Sequence, residues 1–322
     1  MGEFELLARI RERLPPAVPR VRVGMGDDAA VTVPGGATAT SVDAIVDGVH
    51  FRRDRCTPAQ VGHKALATAL SDLAAMGAEA GEAYVVLGVP HGMSEEECIE
   101  LLDGIVTLAE RTGTALAGGD VTRAPALTVA MTVVGHAASA EEFVTRAGAR
   151  PGDALVLTGE LGAAAAGLLL LEQPELASAV SAETAERLRE RQLEPNPRLG
   201  AGRALARAGA TAMIDLSDGL GADAGHVAAE SKVGLRIDGA AVPLANGVAE
   251  IAKAAGLDPL TMAAGGGEDY ELLAAMPPER LPAATAMETT LTTVGEVVEG
   301  AGVEVRRPGG PALEPSGFDQ LR

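Results

Sequence analysis

The chain has 322 residues, with 26 Lys+Arg against 45 Asp+Glu and a formal net charge of −19. Nucleic acid and anionic membrane surfaces repel such a charge, and no Lys/Arg block supplies a local basic patch, so neither is expected as a partner. With 47% hydrophobic but only 2% aromatic residues, the cores must be built from Ala, Val and Leu, base-stacking platforms are disfavoured, and at roughly 150 residues per domain the length suggests two domains.

The opening MGEFELLARIRERL reads as an amphipathic helix with acidic residues where a signal peptide would be basic. VRVG, AAVTV and residues 37–45 are β-branched runs cut by Gly and Pro, hence short strands. Thr57-Pro58-Ala59-Gln60 supplies an N-cap Thr, a Pro at the first helical position and a Gln at N3, and Gly77 supplies the stop. On that helix Leu66, Leu70 and Leu73 share one face, while Lys64, Thr68, Ser71 and Asp72 share the opposite one. Lys64 is there either to reach a phosphate or as a solvated lysine. Residues 84–89 read as a strand, 94–112 as a helix with a second capping box at Ser94 and Glu97, and 114–117 and 126–134 as further strands.

At 146–153 the sequence RAGARPGD interrupts the periodicity, and the boundary is placed near residue 137, giving domains 1–137 and 138–322. The second domain is predicted to hold helices over 162–171, 182–192 and 198–207, strand TAMID, another helix, strand GLRID and the segment 272–276. Helices and strands alternate without the strict βαβ rhythm, which predicts an α+β fold. The longest apolar stretch, residues 161–171, is well short of the roughly 18 a membrane span needs. Cys56 and Cys98 form neither a CxxC nor a Cys/His set, so they are expected to be apolar fillers in a cytoplasmic protein.

The usual phosphate-binding motifs fail. There is no GxxxxGK[ST]; Gly24-Met25-Gly26 leads into a strand rather than a helix, and the EF-hand-like start at Asp43 has Ile45 at a ligand position. What remains is a series of carboxylates at strand ends or beside glycines: Asp27-Asp28, Asp43, Asp72, Gly118-Gly119-Asp120, Asp215 with Asp218, and Gly267-Glu268-Asp269. A single Asp in such a place is ordinarily an N-cap or a solvated turn. Ile214-Asp215-Leu216-Ser217-Asp218-Gly219 is more specific, because it ends a strand and opens a helix, placing two carboxylates and a hydroxyl beside outward-pointing N–H groups. Mg²⁺ takes oxygen ligands and usually completes its shell with water and substrate phosphate, so this arrangement suits a metal-bound polyanion.

In these segments the chain resembles the thiamine-monophosphate kinase family of the aminoimidazole-ribonucleotide-synthetase-like superfamily. The matching stretches are GDDAAV (26–31), SVDAIVDGVHF (41–51), KALATALSDLAAMGA (64–78), GGDVTR (118–123), TRAGARPGDALVLTG (145–159), IDLSDGL (214–220), GGEDYEL (266–272) and GFD (317–319). The resemblance implies a two-domain fold whose amino-terminal sheets join across a homodimer into a barrel, with ATP and substrate between the domains. It implies ATP-dependent phosphorylation of thiamine monophosphate, with more than one Mg²⁺ held by Asp28, Asp43, Asp72, Asp120, Asp215 and Asp218, and with Ser41 beside them. Of these, Asp28, Asp120, Asp215 and Asp218 are expected to act at the reacting phosphates. Gly119, Asp120, Arg146 and Ser217 match nucleotide-contacting positions, and His50, Glu268 and Phe318 match substrate-contacting ones. Val42 stands where related sequences often carry a hydroxyl residue, leaving only a backbone carbonyl for any contact there.

The chemistry is consistent with the same reaction. A phosphate monoester has a second pKa near ~6 and is largely a dianion at neutral pH, so no general base is required. The task is to bring two polyanions into line. Other readings stay open on the residues alone. Arg146 could pair with Glu141 or Glu142; Gly265-Gly266-Gly267 could admit a ligand to the backbone or merely turn the chain; Phe318 could anchor the tail or stack on the thiamine ring. His63, His91, His136 and His226 show no ligand spacing and are taken as structural. The competing functions are a related synthetase of the same superfamily and a non-catalytic metal- or nucleotide-binding module.

Overall fold

This computed structural model describes residues 6, 9–10, 12–14, 19–24, 29–285, 290–307 and 309–313. One compact unit runs to residue 73 and resumes over 78–140; the other takes 74–77 and 141 onward.

The first unit is built on a four-stranded sheet in the order β3-β6-β4-β5, formed by β3 (Ala37–Val46), β4 (Glu79–Val89), β5 (Ala115–Arg123) and β6 (Thr128–Ala137). β4 and β5 are parallel, and the other neighbours are antiparallel. β1 (Val21–Val23) and β2 (Val31–Thr32) form a separate antiparallel pair. Two 18-residue helices, α1 (Pro58–Ala75) and α2 (Glu95–Thr112), carry the caps that their sequences announce. In α1, Thr57 Oγ1 accepts from the Gln60 N–H at 3.2 Å, and Gln60 Oε1 accepts from the Thr57 N–H at 3.0 Å. The Ser94–Glu97 box is likewise formed on both sides. The helices cross backbone to backbone. A Cβ on Gly62 would lie 1.9 Å from the Leu101 carbonyl oxygen, and one on Gly104 would lie 1.9 Å from that of Ala59.

One face of the sheet is buried through Val129, Met131, Val133, Val85 and Leu87. The register puts Val42, Ala44, Ala130, Thr132, Tyr84 and Val86 on the other face, where Val42 is 70% and Val86 44% exposed. Two elements differ from the sequence expectation. β4 starts at Glu79, five residues before the predicted strand, because pairing with β6 holds Glu79-Ala80-Gly81-Glu82 extended despite their poor strand propensity. Gly118-Gly119-Asp120, beyond the end of the strand predicted over 114–117, lies inside β5, where Gly118, Gly119 and Asp120 pair with Tyr84, Val85 and Val86.

The second unit carries a six-stranded mixed sheet in the order β12-β9-β11-β7-β10-β8. Its strands are β7 (Ala154–Thr158), β8 (Ala212–Asp215), β9 (Gly234–Asp238), β10 (Leu272–Met276), β11 (Leu291–Val298) and β12 (Gly302–Arg306). Its helices are α3 (Ala163–Glu172), α4 (Ala182–Leu193), α5 (Leu199–Ala208), α6 (Leu220–Ser231), α7 (Val248–Ala254), α8 (Pro259–Gly265) and α9 (Leu281–Thr285). β7 and β10 inside the sheet, and β8 at its edge, are buried at every residue, as strands covered on both faces should be. Leu155, Leu157, Ile214, Leu235, Ile237 and Leu273 form one core with Leu220, Ala224 and Val227 of α6. Ala166, Leu170, Leu188, Val248 and Ile251 join α3, α4 and α7 in a second. The mixed sheets and segregated helices give the expected α+β class. Among the described residues no helix is long and apolar enough to cross a membrane.

Candidate active site

In the second unit β8 ends at Asp215, and the turn Leu216–Gly219 feeds α6. Asp215 is buried, and Ser217 and Asp218 are half-buried. The turn is held by a residue absent from the sequence-based candidates. The Asp223 carboxylate, in the first turn of α6, accepts the N–H groups of both Asp218 and Gly219 at 3.0 Å. Burial first, then the charges of Asp215 and Asp218, push Asp223 up to about 7. Ligand atoms of Asp218, Asp223 and His226 lie within 4.8 Å of one another. His226, read as structural, therefore stands in the acidic cluster. The i, i+3 spacing of Asp223 and His226 on one helix was the available signal.

The GGEDYEL segment zips onto this turn. The Glu268 N–H donates to the Ser217 carbonyl at 2.8 Å, the Tyr270 N–H to that of Leu216 at 3.0 Å, and the Leu216 N–H to that of Glu271 at 2.8 Å. A Cβ on Gly267 would lie 2.3 Å from the Ser217 carbonyl oxygen, so this glycine admits the protein's own backbone. Glu268 and Tyr270 both take left-handed backbone, with φ of 69° and 50°, a conformation that costs a non-glycine residue about 1–3 kcal/mol.

The acidic residues of this segment are sorted by depth. Half-buried Glu268 accepts from Gln192 Nε2 at 2.6 Å. Asp269 is buried and caps the start of α3, accepting from the N–H groups of Gly162 at 2.7 Å and Ala164 at 3.0 Å; burial outweighs those bonds and pushes it up to about 6. Glu271 is fully buried and accepts from Thr158 Oγ1 at 2.7 Å, Arg191 at 2.9 Å and Arg198 Nε at 2.7 Å, with a second bond from the Arg198 guanidinium.

In the first unit, Ser41 Oγ donates to the Asp72 carboxylate, joining β3 to α1. Asp43, two residues along β3 on the same face, accepts from the Ala44 N–H at 2.7 Å. Asp120 is exposed, and its pairing with Val86 puts it on the opposite sheet face, with Val42 and Ala44. Gly119 beside it is exposed too. His50 Nδ1 accepts from the Val46 N–H at 3.1 Å, which leaves a ring proton on Nε2. Lys64 is buried at 2% exposure, together with Thr68 and Ser71. Of the two readings of Lys64 the solvated one is thus excluded: α1 is enclosed on its polar side as well as its leucine side. In the second unit Arg146 is exposed, and its carbonyl accepts from Ser231 Oγ at 2.9 Å. Asp28 and Phe318 lie outside the described residues. Cys56 and Cys98 are free thiols pushed up to about 11 by burial, as fillers rather than nucleophiles would be.

Apart from the His226 imidazole, the donors at the two clusters are carboxylates and serine hydroxyls, the oxygen set that hard divalent cations take. Asp223 is pushed up first by burial and then by the charges of Asp215 and Asp218, against the two backbone N–H groups it accepts, so three carboxylates are gathered at this turn. The residues therefore fit Mg²⁺.

Residues 26–137 match the AIR synthase related protein, N-terminal domain, and residues 150–307 match the corresponding C-terminal domain. A Mycobacterium tuberculosis protein named thiamine-monophosphate kinase is 40% identical over 279 residues, covering 85% of this chain and 80% of its own. The crystal structure of thiamine-monophosphate kinase from Stenotrophomonas maltophilia K279a superposes with a TM-score of 0.81 at 34% identity, covering 96% of each chain. A structure described as AaThiL complexed with AMPPCP and TMP gives 0.78 at 30% identity, over 98% of this chain and 96% of its own.

Proposed function

The chain belongs to the thiamine-monophosphate kinase family of the AIR synthase related proteins, and on that premise we propose that it carries the terminal phosphoryl group of ATP to thiamine monophosphate by direct in-line displacement. It is a phosphotransferase, and a family neighbour was solved with AMPPCP and TMP. The observation that carries the finer reading is the backbone zip between two loops. It sets Ser217 and Asp218, proposed to face nucleotide and metal, beside Glu268, proposed to face the acceptor.

Ser41, Asp43, Asp72, Asp120, Asp215 and Asp218, with Asp28, are the residues proposed to hold more than one Mg²⁺, with the Val42 carbonyl their neighbour on β3. When bound, Mg²⁺ supplies charge neutralisation to the phosphates of both substrates. Asp28, Asp120, Asp215 and Asp218 are assigned to the reacting phosphates. Gly119, Asp120 and Ser217 contact the nucleotide, and the Arg146 guanidinium offers a fork of donors to phosphate oxygens. His50 presents its Nε2–H, Glu268 accepts from the acceptor's donor groups, and Phe318 covers the thiamine ring. The dianionic acceptor phosphate attacks the γ-phosphorus, the β–γ bridging P–O bond breaks and ADP leaves; no proton has to be removed first. The exposed apolar sheet face around Val42 and Val86 supports a homodimer closed through that sheet, and the free thiols support a cytoplasmic setting.

Pure protein incubated with Mg²⁺, ATP and thiamine monophosphate should form thiamine diphosphate and ADP in equal amounts, resolved chromatographically. Failure to form thiamine diphosphate while nucleotide binds would overturn the reading. Phosphate trapped covalently on the protein in a pulse-quench with labelled ATP would overturn the direct route.

A further inference from the structure

We propose that Gln192 is a positioning residue for substrate capture, fixing the place and orientation of the Glu268 carboxylate toward the acceptor substrate; this rests on the role given to Glu268 above. Gln192 lies on α4, is 4% exposed, and places Nε2 at 2.6 Å from Glu268 Oε2. An ionised carboxylate only accepts hydrogen bonds, so the amide NH₂ must be the end that faces it. The contact is short and charge-assisted, the class that fixes geometry most strongly.

Three further features make the placement a built one. The helix that carries Gln192 sits hard against α3, where a Cβ on Gly167 would fall 2.1 Å from the Leu188 carbonyl oxygen and 2.9 Å from the Gln192 Cβ. The backbone from which the Gln192 side chain reaches Glu268 is therefore held in place by α3. Its chain neighbour Arg191 donates to the Asp269 carbonyl at 3.3 Å and to the Glu271 carboxylate at 2.9 Å, so one turn of α4 holds the loop at residues 268, 269 and 271. Glu268 itself sits at a φ of 69°. A loop in that conformation needs outside contacts to keep it there, and the Gln192 amide supplies one directly to the carboxylate.

The test is steady-state kinetics on the full chain with ATP and thiamine monophosphate, comparing wild type, Gln192→Met, Glu268→Ala and the double variant. Losing one hydrogen bond to a charged group should raise KM for thiamine monophosphate about tenfold or more, while KM for ATP moves less than twofold. In the Glu268→Ala background the same substitution should add less than twofold, because the carboxylate it positions is gone. An unchanged KM for thiamine monophosphate, equal rises in both KM values, or the full effect persisting without Glu268 would each overturn the proposal. Gln192→Glu keeps the volume and replaces the donor with a second carboxylate; it carries the same expectation and the same refutations should methionine unfold the chain. Wild type that makes no thiamine diphosphate overturns the functional reading, and this inference with it, before any variant is compared.

Discussion

Glu271→Leu should be among the most destabilising single substitutions in the second unit. The Glu271 side chain is 0% exposed, and Arg191 and Arg198, which hold it, keep 27% and 28% exposure. Removing the carboxylate leaves two guanidinium groups and the Thr158 hydroxyl without their acceptor. Breaking a buried pair from one side costs about 3–5 kcal/mol. Because each Arg retains about a quarter of its side chain in water, solvation recovers part of this and the expected loss is near the lower end, about 3 kcal/mol. For a unit of this size that corresponds to a fall of roughly 6–12 °C in Tm. Differential scanning calorimetry with matched urea titrations would measure it. The triple variant Arg191→Met/Arg198→Leu/Glu271→Leu removes the orphaned charges as well and should recover more than half of the loss. A fall below ~2 °C for the single variant, or a triple variant no more stable than the single, would refute the view that uncompensated charge is the source of the cost.

Asp269 ties stability to pH: its folded value of about 6 lies above its ordinary 3.8, so the folded chain binds this proton more tightly and stability from it is complete below about 4 and lost as pH rises through about 6. Urea midpoints between pH 4.5 and 7.5 should fall less steeply for Asp269→Asn than for wild type, and parallel slopes would count against the assignment. Gly104→Ala forces a Cβ to 1.9 Å from the Ala59 carbonyl oxygen, so α1 and α2 must separate and urea unfolding should show a loss of about 1–3 kcal/mol; a neutral result would mean that the helices cross more loosely than described. Asp218→Asn should cut kcat by about 100-fold or more while changing Tm little, as expected of a group acting on charge at the phosphates; full activity would remove Asp218 from the site. Val42→Glu places a charge on the sheet face proposed as a dimer contact: light scattering should read a dimer for wild type and a monomer for the variant, and a monomeric wild type or an unshifted mass would refute that contact.

Much of the local structure was legible because its causes are local. Both capping boxes are formed by residues three apart, and the DLSDGL turn was recognisable from a strand end, two carboxylates and a helix start in six residues. What was hidden depends on pairing across the chain. Strand β4 reaches back to Glu79 only because β6 supplies partners. Lys64 sits on what periodicity marks as a polar face, yet that face is enclosed. Gln192 meets Glu268 across 76 residues, and Arg198 meets Glu271 across 73, separations at which no sequence spacing speaks.

The segment Glu268-Asp269-Tyr270-Glu271 shows why residue type alone could not have sorted the site. Three carboxylates in four positions look interchangeable in sequence, but the folded chain gives them three environments. Asp269 is spent on the start of α3, and Glu271 on two arginines and a threonine. Both are buried, and both anchor the loop from beneath. Only Glu268 stays half-buried, carried outward by the left-handed turns at positions 268 and 270. Those two turns cost about 1–3 kcal/mol each, and the buried bonds of Asp269 and Glu271 offset that cost. Substituting either anchor should therefore act on substrate binding through Glu268 as well as on stability. The acidic excess of the chain is accordingly not one feature: part of it fits metal, part is proposed to face the acceptor substrate, and part is the buried scaffold beneath them.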